Sequence, residues 1–427
     1  MRLSRVPRRL LPVVLLLTLI PAAAFAQGAR GIQNIRPLDR RGLTVFEDPK
    51  SDTSRFDGLR LSIGGGFAQE FQSLTHTTDA PPNIVNGVNA NTLTGVGPGF
   101  NTAMANMYVN VQLAQGIRIA LTSYLSSRNH NETWVKDGYI LIDDSPYDVP
   151  LLKTIMEYVT LKVGHFEINY GDAHFRRTDG GNSLYNPFVG NLVMDAFTTE
   201  IGAEGYLRVG PWLAMLGATG GEIKGQTGPA DQRAPTFLAK AGFDDQLTDA
   251  LRVRLTASSY FTARSVKNTL YTGDRAGTHY HDVMDNATNN WSGNVVPGFA
   301  SNVAAIVVNP FIKYNDFELF GNFETATGGA STEPDRTWRQ NAVDAVYRLA
   351  SDKAYLAARW NTAAGKLPAL PDAVRVQRVQ FGLGVFVTDN ILSKIEYVQQ
   401  TYLDFPTTDV RHGGVFKGLM VQGAVLF

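Results

Sequence analysis

Five charged residues crowd the middle of one stretch, LKVGHFEINYGDAHFRRTDGGNSLYNPFVGNLVMDAF: Asp172, His174, Arg176, Arg177 and Asp179. Asn182, Tyr185 and Asn186 follow with neutral hydrogen-bonding groups. Opposed charges held across a narrow, low-dielectric gap order water and sort small polar solutes by size and sign. Adjacent guanidiniums also suit charge-assisted bonds to phosphate or carboxylate. A purely structural alternative stands beside this one: Arg176 and Arg177 bridge Asp172 and Asp179 and pin the stretch in place.

Two other groupings carry weaker chemistry. GTHYHDVMD places His279, His281, Asp282 and Asp285 at spacings a transition metal could use. They fall in a long connection where solvated histidines are ordinary, and no metal is expected there. Asp282, His281 and Ser292 supply the residue types of a hydrolase, but no motif organises them. Neither an enzyme activity nor a cofactor is expected.

What must position these residues is set by the rest of the chain. Residues 1–26 read as a signal peptide: basic Arg2, Arg5, Arg8 and Arg9, an apolar run from Val13 to Ile20, and Ala24-Phe25-Ala26 as the cleavage site. Past it no run of about 18 apolar residues occurs, which excludes helical membrane spans. The chain carries 39 basic and 39 acidic residues. Four of the basic ones lie in the leader, so the remainder is slightly acidic and unsuited to nucleic acid. There is no cysteine, so no disulfide scaffold holds the exported chain.

From Gly58 onward, strand-length segments alternate. Leu59, Leu61, Ile63, Phe67 and Phe71 share one face; Met107, Val109, Val111 and Leu113 share another; Leu251, Val253 and Leu255 oppose Arg252 and Arg254. This is the period of a strand with one apolar face. About sixteen such segments run to Phe427, among them 58–72, 100–113, 156–170, 249–262 and 414–427. Short connections alternate with long ones: AQG, VGP and YND against 73–99, 171–195 and 263–302. That rhythm predicts an all-β fold, an antiparallel up-and-down transmembrane barrel with short periplasmic turns and long outer loops. Residues 27–57 then form a short periplasmic segment and 58–427 the barrel. Phe243 and Phe427 would sit at the periplasmic lipid interface, with Phe71, Trp134, Phe237 and Phe261 at the outer one.

A barrel of this size leaves an aqueous channel, and nothing before Gly58 is long enough for a plug domain. Lumen-facing positions carry both signs: Arg118, Arg252, Arg254 and Arg378, with Lys162, Lys240, Arg359 and Lys394, against Glu200, Glu204, Glu318, Glu324, Asp344 and Glu396. Most are expected to be solvated.

The terminal Phe427 on an alternating strand resembles the C-terminal signal of bacterial outer-membrane proteins. VGHFEINYGD, followed by a charged loop and YNPF, resembles the bacterial porin superfamily, near the phosphate-selective porin O and P group. The resemblance implies an outer-membrane location and a third outer loop folded inward as a constriction. It implies passive diffusion of ions and small hydrophilic solutes, with an anion or phosphate preference as one option. The implied partners are outer-membrane lipid, the barrel-assembly machinery and, as a homotrimer, two further copies. A surface-polysaccharide exporter barrel and an outer-membrane barrel enzyme are the alternative readings.

Overall fold

The computed structural model describes residues 31–427 except 53, 102, 126–132, 179–181, 222–228, 274–278, 287–291 and 369. The expected signal peptide and Asp179 lie outside the described residues. Among the described residues, sixteen long strands form one closed antiparallel barrel. They are β1 (Arg60–Thr77), β2 (Met104–Ala114), β3 (Ile117–Leu125), β4 (Thr133–Ile142), β5 (Val159–Glu167), β6 (Thr199–Val209), β7 (Trp212–Thr219) and β8 (Thr236–Gln246). The second half comprises β9 (Leu251–Thr262), β10 (Asn302–Tyr314), β11 (Phe317–Gly329), β12 (Arg336–Leu349), β13 (Ala354–Lys366), β14 (Ala373–Thr388), β15 (Ile391–Leu403) and β16 (Val415–Leu426). Each strand pairs with its sequence neighbours. The seam closes where β16 returns to β1, in register from Gly66 opposite Leu426 to Thr77 opposite Val415.

The alternation is inverted relative to a water-soluble protein. On β15 the outward Ile395 and Tyr397 are exposed, whereas Lys394 and Glu396, which alternate with them, are buried. On β1, Leu61 and Ile63 are exposed and Arg60 and Glu70 are buried. An apolar outer face and a polar inner face are what lipid outside the barrel requires. Trp212 packs against Phe243 at 5.1 Å near the short turns, and Tyr314, Tyr347 and Phe427 are exposed at the same end. Near the opposite end Phe237 lies directly across from Phe261. Among the described residues no helix is long and apolar enough to cross a membrane.

Three departures from the sequence reading concern β5, the turn before it and β1. Residues 150–156 form a short helix, Pro150–Met156, in the preceding turn, so the strand starts later than 156. It also stops at Glu167, because Asn169 and Tyr170 are drawn inward. The Asn169 amide donates to Glu204 at 2.9 Å and the Tyr170 hydroxyl to Glu324 at 2.9 Å. The third departure is β1, which runs on to Thr77.

At the seam, the Phe427 amide donates to the Gly65 carbonyl at 2.9 Å, and the Gly65 amide to the Phe427 carbonyl at 2.8 Å. A Cβ on Gly64 would collide with the Phe427 carbonyl, so the close approach of the chain end needs that glycine. Deleting Phe427 should lower the yield of folded, heat-modifiable barrel in outer-membrane fractions several-fold, since it removes both bonds and a lipid-facing anchor. An unchanged yield on gels run with and without heating would show that the residue has no part in assembly.

Candidate functional site: a charged wall and the segments bound to it

The expectation of solvated lumen side chains is corrected by burial. Arg378 and Glu396 are 0 % exposed, Lys394 and Glu204 1 %, and Arg254 2 %. In a water-filled lumen such groups would be wet. Here they are covered by three segments of the chain itself: residues 31–57, the third long connection between β5 and β6, and the long connection between β9 and β10. Buried charge is tolerable only when it is paired and hydrogen-bonded, and the wall supplies that pairing piece by piece.

At the short-turn end, Asp172 from the third long connection meets Lys240 of β8 and Arg254 of β9. Arg254 Nε and Nη2 bind the two Asp172 oxygens at 2.8 and 2.9 Å, Lys240 Nζ stands 2.6 Å away, and the Thr256 hydroxyl donates at 2.8 Å. Glu47 of the N-terminal segment joins them, 2.9 Å from Arg254 and 3.2 Å from Lys240. Asp244 binds Arg252 through two bonds of 2.8 Å. Three cations thus face three carboxylates. Phe46 packs its ring under Arg254 at 4.3 Å and against Phe311 at 5.4 Å. Arg118 of β3 binds Asp48 and donates to the Asn34 carbonyl at 2.6 Å. The segment read as a short periplasmic tail, with a place in the lower barrel as one option, lies between lumen-facing side chains. The acidic pair Glu47-Asp48 was the sequence signal that could have named its anchors.

On the wall of β13–β15 the cations bind backbone. Arg359 donates to the Gly190 carbonyl at 3.0 Å while holding Asp344 through bonds of 2.6 and 2.8 Å. Arg378 donates to the carbonyls of Asn191 and Gly293, both at 2.7 Å. Lys394 Nζ is shared by the carbonyls of Ser183, Asn186 and Phe188 at 2.9, 3.2 and 2.9 Å. Glu396 accepts the amides of Val189 and Gly190 at 2.7 and 3.3 Å, and the Tyr280 hydroxyl at 2.5 Å. One carboxylate thereby grips both long connections. Gly190 is obligatory here, because a Cβ would overlap the Tyr280 ring.

The connection between β9 and β10 is anchored likewise. Tyr271 donates to Glu324 at 2.6 Å, and His279 Nδ1 lies 2.8 Å from Glu70 of β1. His279 is buried rather than solvated outside the barrel as the sequence reading had it, because Glu70 and the wall around it draw it in. Among the described residues no cluster of metal-ligating side chains occurs. Glu200 of β6 accepts the Tyr260 hydroxyl at 2.8 Å.

The residues singled out from the sequence are separated rather than gathered. Arg177 pairs with Asp195, not with Asp172, through bonds of 2.9 and 2.8 Å, and lies 4.3 Å from the Phe197 ring. Asp172 is committed to β8 and β9. His174 bridges Glu167 at 3.2 Å and Asn169 at 3.1 Å; burial pushes its pKa down, against the pull of Glu167. Arg176 is buried over the Phe320 ring at 4.8 Å, and its nearest carboxylate, Glu318, is 4.0 Å away.

No family model matches the chain, and no curated protein matches it in sequence. Solved structures do. The anion-selective porin from Comamonas acidovorans superposes with a TM-score of 0.55 at 10 % identity, over 86 % of this chain and 100 % of that one. The outer-membrane channel DcaP of Acinetobacter baumannii gives 0.52 at 10 % identity, over 87 % and 98 %. OmpT, an outer membrane protein of Vibrio cholerae in trimer form, gives 0.50 at 11 % identity, over 87 % and 100 %. At such identities the likeness speaks for architecture alone, and that architecture is the sixteen-stranded barrel of the outer-membrane porins.

Proposed function

We propose that the chain is an outer-membrane channel for ions and small hydrophilic solutes, held here in a conformation that its own segments close. The supporting observation is the inverted burial: a wall of lumen-facing charges, of which Lys240, Arg254, Arg359, Arg378, Lys394 and Glu396 are bound by a tethered segment. A wall built only for stability would be cheaper as packed apolar residues. In this reading the connection between β5 and β6, with Asp172, His174, Arg176 and Arg177, is the constriction. Selectivity is weak because both signs line the wall. The anion selectivity named for the Comamonas porin and the trimer form of the Vibrio protein extend to this chain as parts of the same proposal. The density of opposed lumen charge also favours an exporter of charged polysaccharide, and reversal potentials with polymeric anions separate the two.

Planar bilayers test the reading. The full chain should give brief, infrequent steps. A chain lacking residues 31–57 should give longer and larger ones, ohmic at low voltage, because Arg118, Lys240 and Arg254 regain water. Silence from both, with each folded by its heat-modifiable migration, would remove the channel reading.

A further inference from the structure

Among the described residues, the sixteen strands expose five charged side chains: Asp245, Arg339, Lys366, Arg375 and Lys417. Asp245 adjoins a short turn. The other four are cations, all on β12–β16. By strand alternation they point outward, on the face that carries Val343, Trp360, Phe381 and Leu419. Strand geometry sets their height. At a rise of about 3.3 Å per residue and a tilt of about 40°, the climb from Leu349 to Arg339, or from Phe427 to Lys417, is about 25 Å, the height of a barrel's apolar band. Lys366 and Arg375 stand a little higher on β13 and β14. The cations begin where hydrocarbon gives way to lipid headgroups, at the long-loop end.

The register brings three of them together. Arg339 lies opposite Ala364, and Ala364 opposite Arg375. Neighbouring strands are about 4.8 Å apart, so the two arginines flank one alanine across about 10 Å. Lys366 is the next outward position above that alanine. Long side chains on three sides of a methyl group form a seat for a tetrahedral anion, and guanidinium forks bind phosphate through paired bonds. The outward positions of the seat hold no carboxylate. Arg339 and Lys366 form no ion pair among the described residues. Two exposed carboxylates, Asp372 and Asp404, stand beyond the strand ends. Asp404 reaches Arg375 only at 3.8 Å, with 52 % of the arginine and 63 % of the aspartate side chain exposed, a pair that water screens. In the connection before β12, Glu333 is held by Arg336 and Asp335 by the Asn302 amide. Below the seat the face is apolar, with Trp360 and Leu356 exposed along β13.

We propose that Arg339, Lys366 and Arg375 bind one phosphate group of an outer-leaflet lipid, whose acyl chain lies along Trp360 and Leu356. A phosphate seat directly above an apolar track is the pairing that such a lipid has, and a soluble phosphate would use only the first half of it. A second copy of this chain lacks the counter-charge, since the described strands expose Asp245 alone, at the opposite end. The site follows from the outer-membrane location and is independent of whether the barrel conducts.

Native mass spectrometry of the full chain in detergent, titrated with bis-phosphorylated lipid A, tests it. The barrel should retain one lipid, and phosphatase-treated lipid A should bind at least tenfold more weakly. The combined variant Arg339→Gln, Lys366→Gln, Arg375→Gln should lose the same factor while keeping its heat-modifiable migration. Arg339→Gln alone should weaken binding several-fold, which keeps the test in force if the triple variant folds poorly. Removing three exposed cations at the short-turn end, by Arg55→Gln, Lys153→Gln and Lys353→Gln, should leave binding in place. Equal retention by the two triple variants, indifference to phosphatase treatment, or displacement of the lipid by equimolar inorganic phosphate would overturn the site.

Discussion

An Asp172→Ala chain should be the least stable single variant of this barrel, by about 3–5 kcal/mol, the usual cost of leaving buried partners of a broken ion pair uncompensated. The carboxylate takes two bonds from Arg254, one from Lys240 and one from Thr256. Its removal leaves three cations, Lys240, Arg252 and Arg254, with two carboxylates, Glu47 and Asp244, in a site where Lys240, Arg254 and Glu47 are shut off from water. Urea titration of the refolded protein in detergent should show the loss as a lower midpoint. Replacing Arg254 by Met in the same chain should recover part of it, because the excess charge goes with the guanidinium. A loss below 1 kcal/mol would mean that water reaches the cluster and screens it.

Glu396→Ala should have the largest effect on opening. This carboxylate accepts two amides from the connection between β5 and β6 and a tyrosine hydroxyl from the connection between β9 and β10. Hydrogen bonds to a charged group contribute about 1.5–3 kcal/mol each, and each 1.4 kcal/mol is a factor of about ten in an equilibrium. Loss of one such bond from each segment predicts at least a tenfold rise in the fraction of time open in bilayer recordings. Glu396→Gln keeps acceptor capacity and should fall between the two. Unchanged gating in Glu396→Ala would assign the closed state to the N-terminal segment alone.

The wall was legible in the sequence and its contents were not. A strand of period two bathed in lipid on one side imposes its pattern residue by residue, so Ile395, Glu396 and Tyr397 could each be assigned a face before any coordinates existed. Tyr170, Tyr271, Tyr280 and His279 follow no such period. Their partners, Glu324, Glu396 and Glu70, lie far away in sequence and meet them only once the barrel is closed. Arg177 was paired with the carboxylates nearest in sequence, whereas the fold supplies Asp195. Glu47 and Asp48 went unnoticed because a stretch without alternation reads as a tail.

The carbonyls bound by Arg359, Arg378 and Lys394 give the wall a second character. Six peptide oxygens occupy three cations, five of them from the connection between β5 and β6, so the wall behaves as a receptor and that connection as its resident ligand. A flexible tether holds such a ligand at an effective concentration in the millimolar range. If the barrel conducts as proposed, a solute crossing that wall has to displace it, and flux would saturate with concentration, where a plain sieve's would rise in proportion.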